Sequence, residues 1–170
     1  VQTNYKVIKS VDGEDGLNKA LENIPDLIIS DVLMPKLNGY EFCSKIKIDE
    51  RTSHIPLILL TSKAETNSRI IGLETGADDY LTKPFYSAEL LLRIKNLIAQ
   101  RRKLREKFGK EITLEPKSLA VTSTDEKFLT RVLEVVEKNV GNEKFSAEDF
   151  AENIGMSKTH LNRKLNALTD

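Results

Sequence analysis

Three short apolar runs each deliver a polar side chain of a different kind. Leu27-Ile28-Ile29-Ser30 leads to Asp31, Leu57-Ile58-Leu59-Leu60 leads to Thr61, and Tyr80-Leu81-Thr82 leads to Lys83. A carboxylate, a hydroxyl and an ammonium at three successive run ends are compatible partners in one polar site, where an acid, a hydrogen-bonding hydroxyl and a cation could act on the same ligand. Taken singly, each residue is ordinary, since an Asp after a strand usually turns or caps the chain and a strand-end Lys is solvated. Their succession at three run ends argues for a site, because open parallel α/β sheets bind ligands in the crevice at the carboxyl ends of their strands.

The elements that must position these residues are legible in the periodicity. Strands are expected over Tyr5 to Val11, Leu27 to Ser30, Leu57 to Leu60 and Tyr80 to Leu81, separated by helical spacings at Leu17, Ala20, Leu21 and Ile24, at Phe42 and Ile46, and at Ile70 and Leu73. Alternation of short strands with helices is the sequence form of a parallel α/β sheet. A longer helix with Leu90, Ile94, Leu97 and Ile98 on one face is expected to run through the basic stretch Arg101 to Lys107 and stop near Gly109. Glu111 to Thr124, with Pro116 and several Ser and Thr, reads as an extended linker. Beyond it, Asp125 can cap a helix to about Asn139 with Phe128, Leu129, Val132, Val135 and Val136 inward. Ser146 with Asp149 three residues on forms a capping box for a short helix carrying Phe150, Ala151 and Ile154. Gly155 turns the chain and Ser157 caps a third helix with Leu161, Leu165 and Leu168 inward. The expected division is an α/β block over 1–107, a linker over 108–124 and an all-α helix-turn-helix segment over 125–170.

Charge follows the same division. The 170 residues carry 26 basic and 26 acidic side chains. Residues 1–99 hold 12 basic and 14 acidic, residues 100–117 hold 7 and 3, and residues 118–170 hold 7 and 9. A zero total therefore hides a basic connector between two mildly acidic blocks, and it does not exclude a nucleic-acid partner. The lone Cys43 excludes an intramolecular disulfide, no signal-peptide pattern opens the sequence, and no apolar run approaches the roughly 20 residues of a membrane span, so a cytoplasmic location is expected.

The motifs Asp31-Val32-Leu33-Met34-Pro35, Leu60-Thr61-Ser62, Gly76-Ala77-Asp78-Asp79-Tyr80 and Lys83-Pro84-Phe85 resemble, in type, order and spacing, those of response-regulator receiver domains. The resemblance implies a flavodoxin-like, doubly wound parallel sheet of order 2-1-3-4-5. It implies that Asp31 accepts a phosphoryl group from a sensor histidine kinase, that Lys83 pairs with that group, and that Thr61 hydrogen-bonds it. By the same resemblance Tyr80 is the aromatic switch, Lys83-Pro84 is a cis peptide, and Mg²⁺ is held by Asp31 and the Leu33 backbone carbonyl. Receivers hold the metal chiefly through an acidic pair at the end of a first strand, and Val1 lies just before what corresponds to the second. Without that central strand a gap of about 10 Å would divide the sheet. A longer polypeptide or a partner chain is expected to fill it, and residues 1–170 alone are expected to bind Mg²⁺ and accept phosphate poorly. Asp78 and Asp79 precede the last strand and read as loop and cap residues.

Phe150 to Leu165 resembles the first helix-turn-helix of the AraC/XylS family, with the likeness reaching back to about Asp125. That family implies a reading helix from Ser157, with Thr159, Asn162 and Arg163 toward bases and Lys158 and Lys164 toward phosphates. His160 has no companion Cys or His and reads as a packing or solvated residue. A second helix-turn-helix normally follows, so weak DNA binding is expected of these residues alone.

Together these resemblances imply a phosphorylation-dependent transcriptional regulator of a two-component system, not a turnover enzyme, acting as a homodimer on promoter DNA without direct membrane contact of this segment. Signal relay is expected through the surface from Ser68 to Leu97. The same pairing of domains also occurs as the tail of hybrid histidine kinases, on the cytoplasmic side of the inner membrane. The alternative is a phosphorylation-independent receiver-like module for dimerisation or docking. A haloacid-dehalogenase-like phosphatase would need an Asp two residues after Asp31, and position 33 is Leu.

Overall fold

The computed structural model of the chain describes residues 5–62, 76–108 and 122–169, with only the backbone of 104–108. Three parallel strands, β1 (Ile28–Asp31), β2 (Leu57–Ser62) and β3 (Asp79–Lys83), form a sheet in that order. β2 is central and its first three residues, Leu57, Ile58 and Leu59, are wholly buried. A parallel strand covered on both faces reads as a continuous apolar run, which is how this one reads. Its side chains alternate between two layers. Leu57 and Leu59 pack with Ala20, Phe42, Cys43 and Ile46 of helices α1 (Gly13–Asn23) and α2 (Gly39–Ile48), whereas Ile58 packs with Leu81 and with Ile94 of α3 (Ser87–Phe108).

The helix ends explain the bounds. Asp12 caps α1 by accepting from Asp15 N at 2.9 Å, and Asn38 caps α2 by accepting from Tyr40 N and Glu41 N at 3.0 Å each. α3 runs through the basic stretch as its spacing predicts. Asp78 and Asp79 are also structural: Asp78 accepts from Leu57 N at 2.8 Å and pairs with Lys47 at 2.6 Å, and Asp79 pairs with Arg93 at 2.8 Å.

The expected strand over Tyr5 to Val11 is absent. Residues 5–10 join no ladder, and Tyr5, Val7, Ile8 and Val11 are exposed. A strand is stabilised by its neighbour's backbone groups, and the free edge of β1 carries no partner among the described residues. Lys19 Nζ instead donates to the Lys9 carbonyl at 2.8 Å, tying this segment to α1. The helix expected at Ile70 and Leu73, the stop at Gly109, the linker up to residue 121 and part of the surface from Ser68 to Leu97 lie outside the described residues.

Three further helices, α4 (Ser123–Asn139), α5 (Ala147–Ile154) and α6 (Lys158–Thr169), pack around Phe128, Leu129, Val132, Ala151, Ile154, Leu161 and Leu168. The Ser146–Asp149 capping box opens α5, and Gly155 closes it at φ +79°, a left-handed turn that suits glycine. Two expectations are corrected. Thr122, not Asp125, caps α4, with Asp125 three residues on completing the box, and Val136 is exposed because the helix turns it off the inner stripe.

Lys164 is corrected too. Its side chain is 1 % exposed, paired with Asp125 at 0 % and donating to Ser53 Oγ at 2.8 Å, so it faces no solvent and no phosphate. Ser53 in turn donates to Asp125 Oδ1 at 2.7 Å. Burial works against the Asp125 carboxylate, but the Lys164 charge and the hydrogen bonds from Lys164, Ser53 and Thr122 outweigh it and hold the carboxyl below its ordinary range. A carboxyl held low in the fold contributes stability that is fully present above its unfolded pKa of about 3.9 and is lost as pH falls through the folded value. Circular dichroism of the helices should accordingly show a loss of stability that begins near pH 4. Asp125→Asn leaves the Lys164 charge buried without its counter-ion, so it should cost about 3–5 kcal/mol at neutral pH and make the acid dependence shallower.

Candidate functional site

Asp31 is the last residue of β1 and Lys83 the last of β3, and β2 lies between them in register, with Leu60 beside Asp31 and Ser62 beside Lys83. The two side chains meet across that strand: Lys83 Nζ donates to Asp31 Oδ2 in an ion pair whose partners are 42 % and 38 % exposed. Both groups are therefore held together and open to a reactant from solvent. The Lys83-Pro84 peptide is cis.

Local backbone fixes the carboxylate. Leu33 N donates to Asp31 Oδ1 at 3.3 Å, and Val32 N donates to the Leu60 carbonyl at 3.0 Å, carrying the ladder one residue past the strand. Gly39 N donates to the Val32 carbonyl at 2.9 Å, bringing the first turn of α2 against the acceptor loop. A Cβ at position 39 would lie 2.2 Å from the Asp31 carbonyl oxygen, so only glycine permits this approach.

Thr61 follows Leu60 on β2; its residue is 7 % exposed and its hydroxyl donates to the Ser62 carbonyl at 3.2 Å. Tyr80 is half-buried against the layer formed by α1 and α2. For Mg²⁺, Asp31 offers one carboxylate and Leu33 one backbone carbonyl. No group of three or more His, Cys, Asp or Glu that could hold a metal occurs among the described residues, so this pair is a partial set for an ion that takes six oxygens.

At the far end of the chain, Thr159, Asn162 and Arg163 are exposed on α6, and Lys158 pairs with Glu148 at 2.5 Å. Arg163 Nη1 donates to the Glu22 carbonyl at 3.1 Å, and His160 is half-buried with Nε2 3.3 Å from the Leu21 carbonyl. Only four of the five expected DNA contacts thus face outward. The signal that Lys164 does not was present in the spacing, since 164 is three residues past Leu161 and four before Leu168, on the inner stripe. Ser53 carries no comparable signal, because its bond to Asp125 joins positions 72 residues apart.

The family model described as the response regulator receiver domain matches residues 2–95. The chain belongs to that family. The receiver is 46 % identical over 95 residues, 56 % of this chain and 42 % of the relative, to the response regulator ArlR of Staphylococcus aureus. A protein named histidine kinase P4 from Formosa agariphila is 42 % identical over 167 residues, which are 98 % of this chain and 12 % of that relative. The chain therefore spans less than half of either. Among solved structures, the signal receiver domain of a histidine kinase from Syntrophus aciditrophicus is 36 % identical with a TM-score of 0.54, covering 57 % of this chain and 74 % of that one. The receiver domain of the sensor histidine kinase PA1611 from Pseudomonas aeruginosa, solved with a magnesium ion coordinated in its active site cleft, is 34 % identical with a TM-score of 0.52, covering 56 % and 78 %. The fold is thus the flavodoxin-like parallel α/β fold of receivers, and receivers of response regulators are not turnover enzymes. No helix of the described residues is long and apolar enough to cross a membrane.

The close approach at Gly39 gives the receiver a sharp test. Gly39→Ala should lower thermal stability by about 1–3 kcal/mol through overpacking against backbone that cannot yield. The largest amide shifts in an NMR comparison should fall at residues 31–33 rather than along α2.

Proposed function

We propose that Asp31 is the phosphoacceptor of a two-component system. The observation that carries this reading is the half-exposed Asp31–Lys83 pair at the carboxyl ends of two strands flanking β2. An Asp31 carboxylate oxygen attacks the phosphorus of a kinase phosphohistidine; the new P–O bond replaces the P–N bond, and the imidazole leaves with its electron pair. Lys83, already beside Asp31, follows the charge onto the phosphoryl oxygens as a point cation. Thr61 is the hydroxyl that turns to the phosphoryl group, and Tyr80 is the side chain that moves with it. Mg²⁺, when bound through the Asp31 carboxylate and the Leu33 carbonyl, supplies further neutralisation of the phosphoryl charge.

The output in this reading is transcriptional. Residues 1–107 form the receiver, 108–124 the connector, whose last two residues already open α4, and 125–170 a helix-turn-helix of AraC type that reads promoter DNA as a homodimer. The turn at Gly155 between α5 and α6 and the exposed Lys158, Thr159, Asn162 and Arg163 support it. Similarity to a protein named a histidine kinase over both the receiver and the helices favours a place at the tail of a hybrid kinase on the cytoplasmic side of the membrane.

Phosphotransfer from the kinase to the whole gene product tests the first half. Asp31→Asn should abolish the hydroxylamine-labile phosphoryl adduct, and Lys83→Ala should slow its formation by about 10²–10³-fold. Undiminished labelling of Asp31→Asn would reject Asp31 as the acceptor.

A further inference from the structure

The residues of α6 next to Lys164 converge on one place in the sheet layer. Lys164 meets Ser53, Arg163 meets the Glu22 carbonyl, and His160 meets the Leu21 carbonyl. Arg131 of α4 forms a two-pronged pair with Glu50, at 3.2 and 2.6 Å. Ser53 lies in the loop before β2, and Leu21 and Glu22 lie at the end of α1 before β1. All of these contacts therefore sit at the amino ends of the strands, whereas Asp31 and Lys83 sit at the carboxyl ends. Strands of four to six residues separate the two by roughly 13–20 Å.

We propose that this contact is a latch: the Asp125–Lys164 pair, completed by Ser53 and flanked by Arg131–Glu50, docks the helical segment on the end of the sheet opposite Asp31. The chemistry is specific. Asp125 alone would neutralise the Lys164 charge, but the ammonium has a further donor to satisfy, and Ser53 supplies the acceptor from the other layer. Ser53 also donates to Asp125, so its one hydroxyl links both charged partners to the sheet layer. Around it the contact is polar and incompletely filled. A cavity of about 370 Å³ opens among Asn23, Pro25, His54, Arg101, Arg163 and Asn166. Polar, imperfectly packed contacts within a chain are those that separate most readily.

Resting on the reading of α6 as a DNA reader, the latch is also a block. A helix about 10–12 Å wide nearly fills a major groove about 12 Å wide, so its reading face must be clear of other protein. Here Arg163 is already donating to the end of α1, and the chain that carries Leu21 and Glu22 occupies the space beside it. Docking and groove reading by this face exclude one another.

The latch is tested by the reactivity of Lys164 toward reductive methylation in the whole gene product, read by mass spectrometry against Lys158 of the same helix, which is half-exposed. In the unaltered protein Lys164 should be protected. Glu50→Arg, a change at a partly exposed side chain, should raise its labelling about 5-fold by replacing an attraction with a repulsion, and adding Arg131→Glu should restore protection by re-forming the pair in reverse. Ser53→Ala should raise labelling about 10-fold through loss of the shared hydroxyl. The latch is overturned if Lys164 labels as fast as Lys158 in the unaltered protein, if neither change raises its labelling, or if the charge swap fails to restore protection. Retention of the same variants on a randomised DNA duplex judges the reader separately. Release of Lys164 with no gain in retention would count against DNA reading by α6 and leave the latch standing.

Discussion

Everything in the receiver hangs on the burial of β2. A parallel strand with apolar side chains on both faces is stable only between two covering layers, and α1 with α2 on one side and α3 on the other supply them. The alternation of Leu57, Ile58 and Leu59 between those layers sets the register, and the register places the ends of β1 and β3 on either side of the same strand. Asp31 and Lys83 are consequently brought together by packing that neither takes part in. The site is polar and open, and the precision of its geometry comes from an apolar strand.

A second constraint acts at the opposite end of the sheet. Asp125 and Lys164 are both removed from water, and burial opposes the charge on each. Two buried charges remain ionised only when hydrogen bonds support them, and here Ser53 accepts from Lys164 and donates to Asp125, while Thr122 donates to Asp125 as well. The Ser53 hydroxyl in the loop before β2 thus joins Arg131–Glu50 and the α6 contacts to Leu21 and Glu22 in coupling helices α4 and α6 to the sheet layer. The consequence for α6 is a division along its circumference, with Leu161, Lys164 and Leu168 inward and Thr159, Asn162 and Arg163 outward.

The places where sequence reasoning failed share a cause. Tyr5 to Val11 has the composition of a strand, yet a strand needs a neighbour, and its pattern carries no information about whether one is present. The charge of Lys164 suits a phosphate contact, whereas its position on the Leu161 stripe places it inward. Asp125 suits a cap by its type, and it does belong to a capping box, but one begun by Thr122. Its larger role, as counter-ion to a lysine 39 residues away, involves no local pattern.

By itself the sequence determined the strands β1 to β3, the faces of the helices that cover them and the capping box at Ser146, and it set Asp31, Thr61 and Lys83 at or near the ends of the three strands, because periodicity, turn chemistry and motif spacing are local properties of the chain. Only the tertiary structure decided that Asp31 and Lys83 pair across β2, that Gly39 must lack a side chain, and that Lys164 closes on Asp125 and Ser53. Those outcomes depend on which distant segments share a small dry volume, and charge and hydrogen-bond satisfaction in such a volume are settled by the neighbours that packing brings there.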